Sequence, residues 1–117
     1  MFWCKFNILS KMGNKDFQCL SLKGKVENVV LINYIAVGDF VCGHIFNRTL
    51  ELEFFKSSDN LRISISNQNG IKKFHEIIQP VETLHIIINM HDWETDYYDV
   101  IMSDNKGIFI RGNFSLK

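Results

Sequence analysis

Neither sign of charge is in excess in this chain, where thirteen lysines and arginines face thirteen aspartates and glutamates. A domain without a net field has nothing to draw nucleic acid or an anionic membrane from a distance, so no nucleic-acid partner is expected. Cysteine is scarce. Cys4, Cys19 and Cys42 are odd in number and lack CxxC spacing, which argues against a disulfide framework or a zinc site and fits a reducing compartment. The expected location is therefore cytoplasmic, or outside the cell by export without a signal peptide. No apolar run approaches the roughly 20 residues of a membrane-spanning helix, and the first ten residues mix charge and polarity too early for a secretory signal. Membrane insertion is not expected. Low-complexity tracts are missing as well, and 46% hydrophobic with 22% charged residues is a globular balance. The 117 residues fit one domain, 1–117.

What the chain does have is alternation. Leu61, Ile63 and Ile65 alternate with Arg62, Ser64 and Ser66, followed by Asn67-Gln68-Asn69-Gly70 and a second run over 71–78. This is a half-buried strand, an Asn-Gly turn and a returning strand. Leu50, Leu52 and Phe54 face one way while Glu51 and Glu53 face the other. Leu84, Ile86, Ile88 and Met90 repeat the pattern, and residues 104–107 form a second hairpin turn. Earlier, residues 13–16 read as a turn and 17–23 as a strand broken or bulged at Gly24. Residues 25–34 suit a strand covered on both sides or crossing between layers. Gly38-Asp39 reads as a turn into 40–46, and Pro80 ends the central hairpin because proline cannot donate into a ladder. The sum is an all-β chain of about nine or more strands, a single antiparallel sandwich.

Candidate sites are few. Period two places His44, Phe46 and Arg48 on one face if the strand runs through them, where an imidazole and a guanidinium could bind sugar hydroxyls. The alternative makes Asn47-Arg48 a turn between strands. Residues 91–96 gather Asp92, Glu94 and Asp96 at calcium-loop spacing but lack the glycine and distal glutamate of such a loop. Trp93 among them either stacks on a ligand ring or lids the core. His75-Glu76 lacks a nucleophile, and Cys42 with His44 lacks a third orienting group. No catalytic residue, metal or cofactor is assigned, and the chain is read as a non-enzyme.

The strand series resembles a galectin, the β-galactoside-binding lectins whose fold is a jelly-roll sandwich. Residues 20–26 resemble the early galectin strand with its embedded glycine. His44-Ile45-Phe46-Asn47-Arg48 is similar to the motif His-X-Asn-Pro-Arg at its histidine and arginine, though not at its asparagine and proline. Residues 63–67 resemble the strand that supplies a sugar-contacting asparagine, here Asn67. Glu76 falls near the family glutamate and Phe74 near the stacking tryptophan. A second register aligns residues 37–45 with the early strand, 49–55 with the next and 59–66 with the sugar-binding strand, where no histidine or arginine lands at the motif positions. The resemblance implies a galectin-like domain binding a β-galactoside through His44, Arg48, Asn67 and Glu76, with Phe74 or Trp93 as the stacking face. The other reading is a protein-binding module on the same sandwich, using a sheet face or an open edge. The expected partner is a glycan or a protein, and a homodimer through an edge strand is a further expectation.

Overall fold

A computed structural model of the chain describes the backbone at residues 18–28 and 31–117, with side chains at all of these except 28 and 31–35. The turn expected at 13–16 and the start of the strand expected at Phe17 lie outside the described residues, as do Val29 and Val30. The described chain runs β1 (Gln18–Leu20), β2 (Leu22–Asn28), β3 (Leu31–Ile35), α1 (Val37–Phe40), β4 (Val41–Phe46) and β5 (Thr49–Phe54). It continues with β6 (Leu61–Asn67), β7 (Lys72–Ile78), β8 (His85–Asn89), β9 (Asp96–Ser103) and β10 (Ile108–Leu116). Two antiparallel sheets result, one ordered β1-β4-β5-β8 and the other β3-β2-β10-β9-β6-β7. This is the all-β sandwich that the alternation predicts.

The core follows from period two. Leu50, Leu52 and Phe54 of β5 point across the sandwich, while Leu61, Ile63 and Ile65 of β6 and Val100 and Met102 of β9 close it from the other side. All eight are fully enclosed in one cluster. Each such side chain contributes about 1.5–3 kcal/mol on leaving water. The β6–β7 hairpin is held at its turn by Asn67, whose Oδ1 accepts the backbone N–H groups of Asn69 at 3.0 Å and Ile71 at 2.9 Å. Gly70 supplies the left-handed residue there, at φ 82.

Three local expectations are corrected. The strand expected to break at Gly24 breaks instead at Ser21, where the chain passes from β1 in one sheet to β2 in the other. Gly24 lies inside β2, and a Cβ there would stand 2.0 Å from the Phe109 carbonyl oxygen of β10. Only glycine permits that approach. The run over 25–34 is neither one strand nor a crossing, because β2 and β3 pair antiparallel in the same sheet. Gly38-Asp39 lies in the single helical turn α1, which carries Phe40 into the core. No helix of the described residues is long and apolar enough to cross a membrane.

Candidate functional site

The six side chains expected to form a sugar site are divided between the two sheets. His44 stands on β4 in the four-stranded sheet, whereas Asn67, Phe74 and Glu76 stand on β6 and β7 in the other. Arg48 and Trp93 lie in the β4–β5 and β8–β9 connections. His44 is fully enclosed, with Nε2 3.4 Å from Oε1 of its cross-strand neighbour Glu51. Cys42 shares its side of the strand and is also buried. An enclosed imidazole presents no face to a sugar or any other substrate.

The strand does not run through to Arg48. Asn47 and Arg48 have φ 52 and 55 and form a two-residue turn, with Phe46 paired to Thr49. Hairpin turns of this kind need left-handed residues at both central positions, and proline, fixed near about −65°, cannot stand there. The likeness to His-X-Asn-Pro-Arg is thus a coincidence of spacing on a hairpin. Arg48 serves as a tie: Nη1 donates to the Lys117 carbonyl at 2.7 Å and Nη2 to the Trp93 carbonyl, while its own carbonyl accepts the Met90 N–H at 2.9 Å. A cleft of about 250 Å³ opens beside it. Two of its polar side chains are engaged by the chain's own backbone, Arg48 as described and Gln18, whose amide donates to the Ser115 carbonyl at 3.3 Å.

Trp93 packs on Tyr98 with ring centroids 5.3 Å apart, and Tyr98 stacks on Phe114 at 5.4 Å. The tryptophan is partly buried against the core end. Among the described residues, no three His, Cys, Asp or Glu side chains gather to hold a metal ion. Phe74 is half-buried against the core, opposite Ile65, and Glu76 stands opposite Ile63 on the same, inward side of β7. That placement matters because β7 ends its sheet. An outer strand invites another chain to pair with it, and an inward-pointing charge, exposed lysines and a bulge each discourage pairing. β7 has all three: Glu76, the exposed Lys72 and Lys73, and a register shift opposite Ile65 and Ser66.

The outer face of the six-stranded sheet is different. Cross-strand register lines up Lys25, Phe109, Ser103, Arg62 and Ile77 in one row, and Lys23, Arg111, Ile101, Ser64 and His75 in the next. Each row spans about 19 Å from β2 to β7. None of the ten positions is acidic. Lys25 pairs with Glu27 at 3.2 Å, but Lys23, Arg62 and Arg111 make no ion pair among the described residues. Phe109 is 48% exposed and Ile77 58%. Two shallow hollows flank the 104–107 turn at the end of the first row, one of about 160 Å³ beside Arg62 and Ile77 and one of about 280 Å³ beside Lys25 and Phe109. Sequence reasoning did not single out this face. Its signal was the alternation of Phe109 and Arg111 with Ile108 and Ile110, but the rows exist only because β10 inserts between β2 and β9.

Residues 20–116 match the family described as Domain of unknown function (DUF3244). The chain is similar to a DUF3244 family protein from Bacteroides vulgatus ATCC 8482, whose crystal structure has an immunoglobulin-like β-sandwich fold. The TM-score is 0.69 at 14% identity, over 86% of this chain and 99% of that one. No curated protein matches. At that identity the likeness carries the fold, which is therefore an immunoglobulin-like sandwich rather than the galectin jelly roll. No lectin stands among these findings, and the galectin resemblance is overturned by them. The chain belongs to the DUF3244 family.

Proposed function

We propose that this domain is a non-enzymatic protein-binding module that engages its partner with the outer face of the six-stranded sheet. The observation that carries the reading is the pair of rows just described, in which exposed apolar side chains stand among arginines and a lysine that make no ion pair among the described residues. Apolar groups and arginine are the side chains that supply most binding energy when a partner excludes water from them. The guarded β7 edge favours docking on the face over strand addition. The enclosed His44 and the turn at Arg48 weigh against a sugar ligand.

The test is selection of a displayed random-peptide library on the immobilised full chain. Enriched peptides are expected to lose binding to Phe109→Ser and Ile77→Ser variants that melt like the wild type. Enrichment of no peptide, or of peptides indifferent to both substitutions, would overturn the reading. Retention on an immobilised galactoside with elution by lactose would replace it with sugar binding.

A further inference from the structure

The charges on this face specify more than that a protein docks there. We propose that its partner is an acidic polypeptide segment whose carboxylates alternate with apolar side chains, the carboxylates seated on Lys23, Arg62 and Arg111 and an apolar side chain resting on Phe109. This rests on the protein-binding reading above.

Charge complementarity is the first argument. A chain whose total charge is zero places Lys23, Lys25, Arg62 and Arg111 in two adjoining rows with no carboxylate between them. Among the described residues two carboxylates border these rows: Glu27, which holds Lys25, and Asp99, which stands in the adjoining row beside Asn113 and Ser66 and makes no ion pair. Asp104 at the row's end turns Oδ1 to its own backbone. Guanidinium groups present a planar fork that matches a carboxylate bidentately, and such charge-assisted hydrogen bonds are about twice as strong as neutral ones.

Geometry is the second argument. Arg62 lies two strands from Phe109 and three from Lys25 in the first row, and Arg111 lies beside Lys23 in the second. Arg62 thus stands on one side of the exposed phenylalanine along the row, and Arg111 and Lys23 stand one row over, on β10 and β2. A partner that meets them all presents acid, apolar group and acid across about 15 Å, within reach of a short extended segment. The aliphatic Ile77 and Ile101 continue the rows, and they suit apolar side chains better than the sugar-phosphate or sulfated surface of another polyanion. A neutral domain also lacks the long-range field that polyanion binders use.

The experiment titrates the full, isotopically labelled chain with three synthetic peptides of one apolar pattern, in which glutamate, glutamine or lysine fills the alternate positions. A heparin oligosaccharide is titrated alongside. The glutamate peptide is expected to shift the amides of β2, β6, β9 and β10, and to bind about tenfold or more weakly when salt is raised to about 1 M, where the screening length falls to about 3 Å. Arg62→Glu/Arg111→Glu should abolish that binding and admit the lysine peptide. If the double variant does not fold, Arg111→Gln, at an exposed position, should still weaken the glutamate peptide severalfold. Equal affinity for all three peptides, or preference for the glutamine or lysine peptide, overturns the acidic partner and leaves the protein-binding reading standing. Heparin binding to this face without any peptide binding overturns both, as does the absence of shifts with every probe.

Discussion

The turn between β9 and β10 hangs on one carboxylate, and its removal gives the sharpest test of how this sandwich is held. Oδ1 of Asp104 accepts the backbone N–H groups of Lys106, Gly107 and Ile108, each at 2.9 Å. Burial pushes the carboxyl pKa up, but the three N–H groups and the nearby Lys106 charge outweigh it, and the net direction is down. Hydrogen bonds to a charged group contribute about 1.5–3 kcal/mol each when considered singly. Because water can reach part of this turn once it loosens, Asp104→Ala should cost about 2–4 kcal/mol in all rather than their sum. At about 4 °C per kcal/mol for a domain of this size, melting should fall by about 8–16 °C. Asp104→Asn keeps an acceptor, loses the charge and adds an amide where Oδ2 meets no donor among the described residues, so its loss should be smaller but clear. The sign with pH is fixed by the lowered folded pKa: the folded state binds fewer protons, so the stabilisation is present above the ordinary carboxyl pKa of about 4 and is lost as pH falls through the folded value. Calorimetric melting of wild type and both variants between about pH 7 and 2 reads this directly, and the gap to Asp104→Asn should narrow as pH falls toward the acid end. An alanine variant melting within about 2 °C of wild type would refute the reasoning.

Ile63→Asp should unfold or aggregate the domain, since an unpaired charge in the fully closed core costs several kcal/mol, while Ser64→Asp, on the outward side in Arg111's row, should melt close to wild type. Equal melting temperatures would show the face assignment to be wrong. Arg48→Ala should lower melting by roughly 4–8 °C, reflecting about 1–2 kcal/mol for the lost donors to the Trp93 and Lys117 carbonyls, and Arg48→Lys should restore only part because an ammonium lacks the fork. An unchanged melting curve in Arg48→Ala would remove its structural role.

What could be read from residues alone was whatever depends on neighbours in the chain. The β6–β7 hairpin was legible because Asn67 to Gly70 encode their own turn, and β5 because its two glutamates alternate with three core residues, although the glutamate side is itself largely covered. Arg48 was not, since two readings of Asn47-Arg48 differ only in φ, and no local residue pattern fixed which would hold. Gly24 was read as a break for a similar reason: the backbone of Phe109 that demands it lies 85 positions away in sequence. The candidate surface was hidden most completely. Each of Lys23, Arg62, Phe109 and Arg111 reads singly as an ordinary outward residue, and only the strand order β2-β10-β9-β6 makes them neighbours.

The same strand order supports the proposed use of this face over the β7 edge. Charge on an edge strand does double service, keeping the chain soluble and preventing strand addition, and on β7 the residues Lys72, Lys73 and Glu76 are accounted for by that task. The cations of the central strands β10 and β6 have no such task. Their strands are already paired on both sides, so charge there guards no edge. Neither do they stabilise the sheet through partners of their own, since Lys23, Arg62 and Arg111 make no ion pair among the described residues, and like charges on adjoining strands, as with Lys23 opposite Arg111, are mildly destabilising. A cost borne in the folded domain with no local return is what a binding surface looks like before its partner arrives.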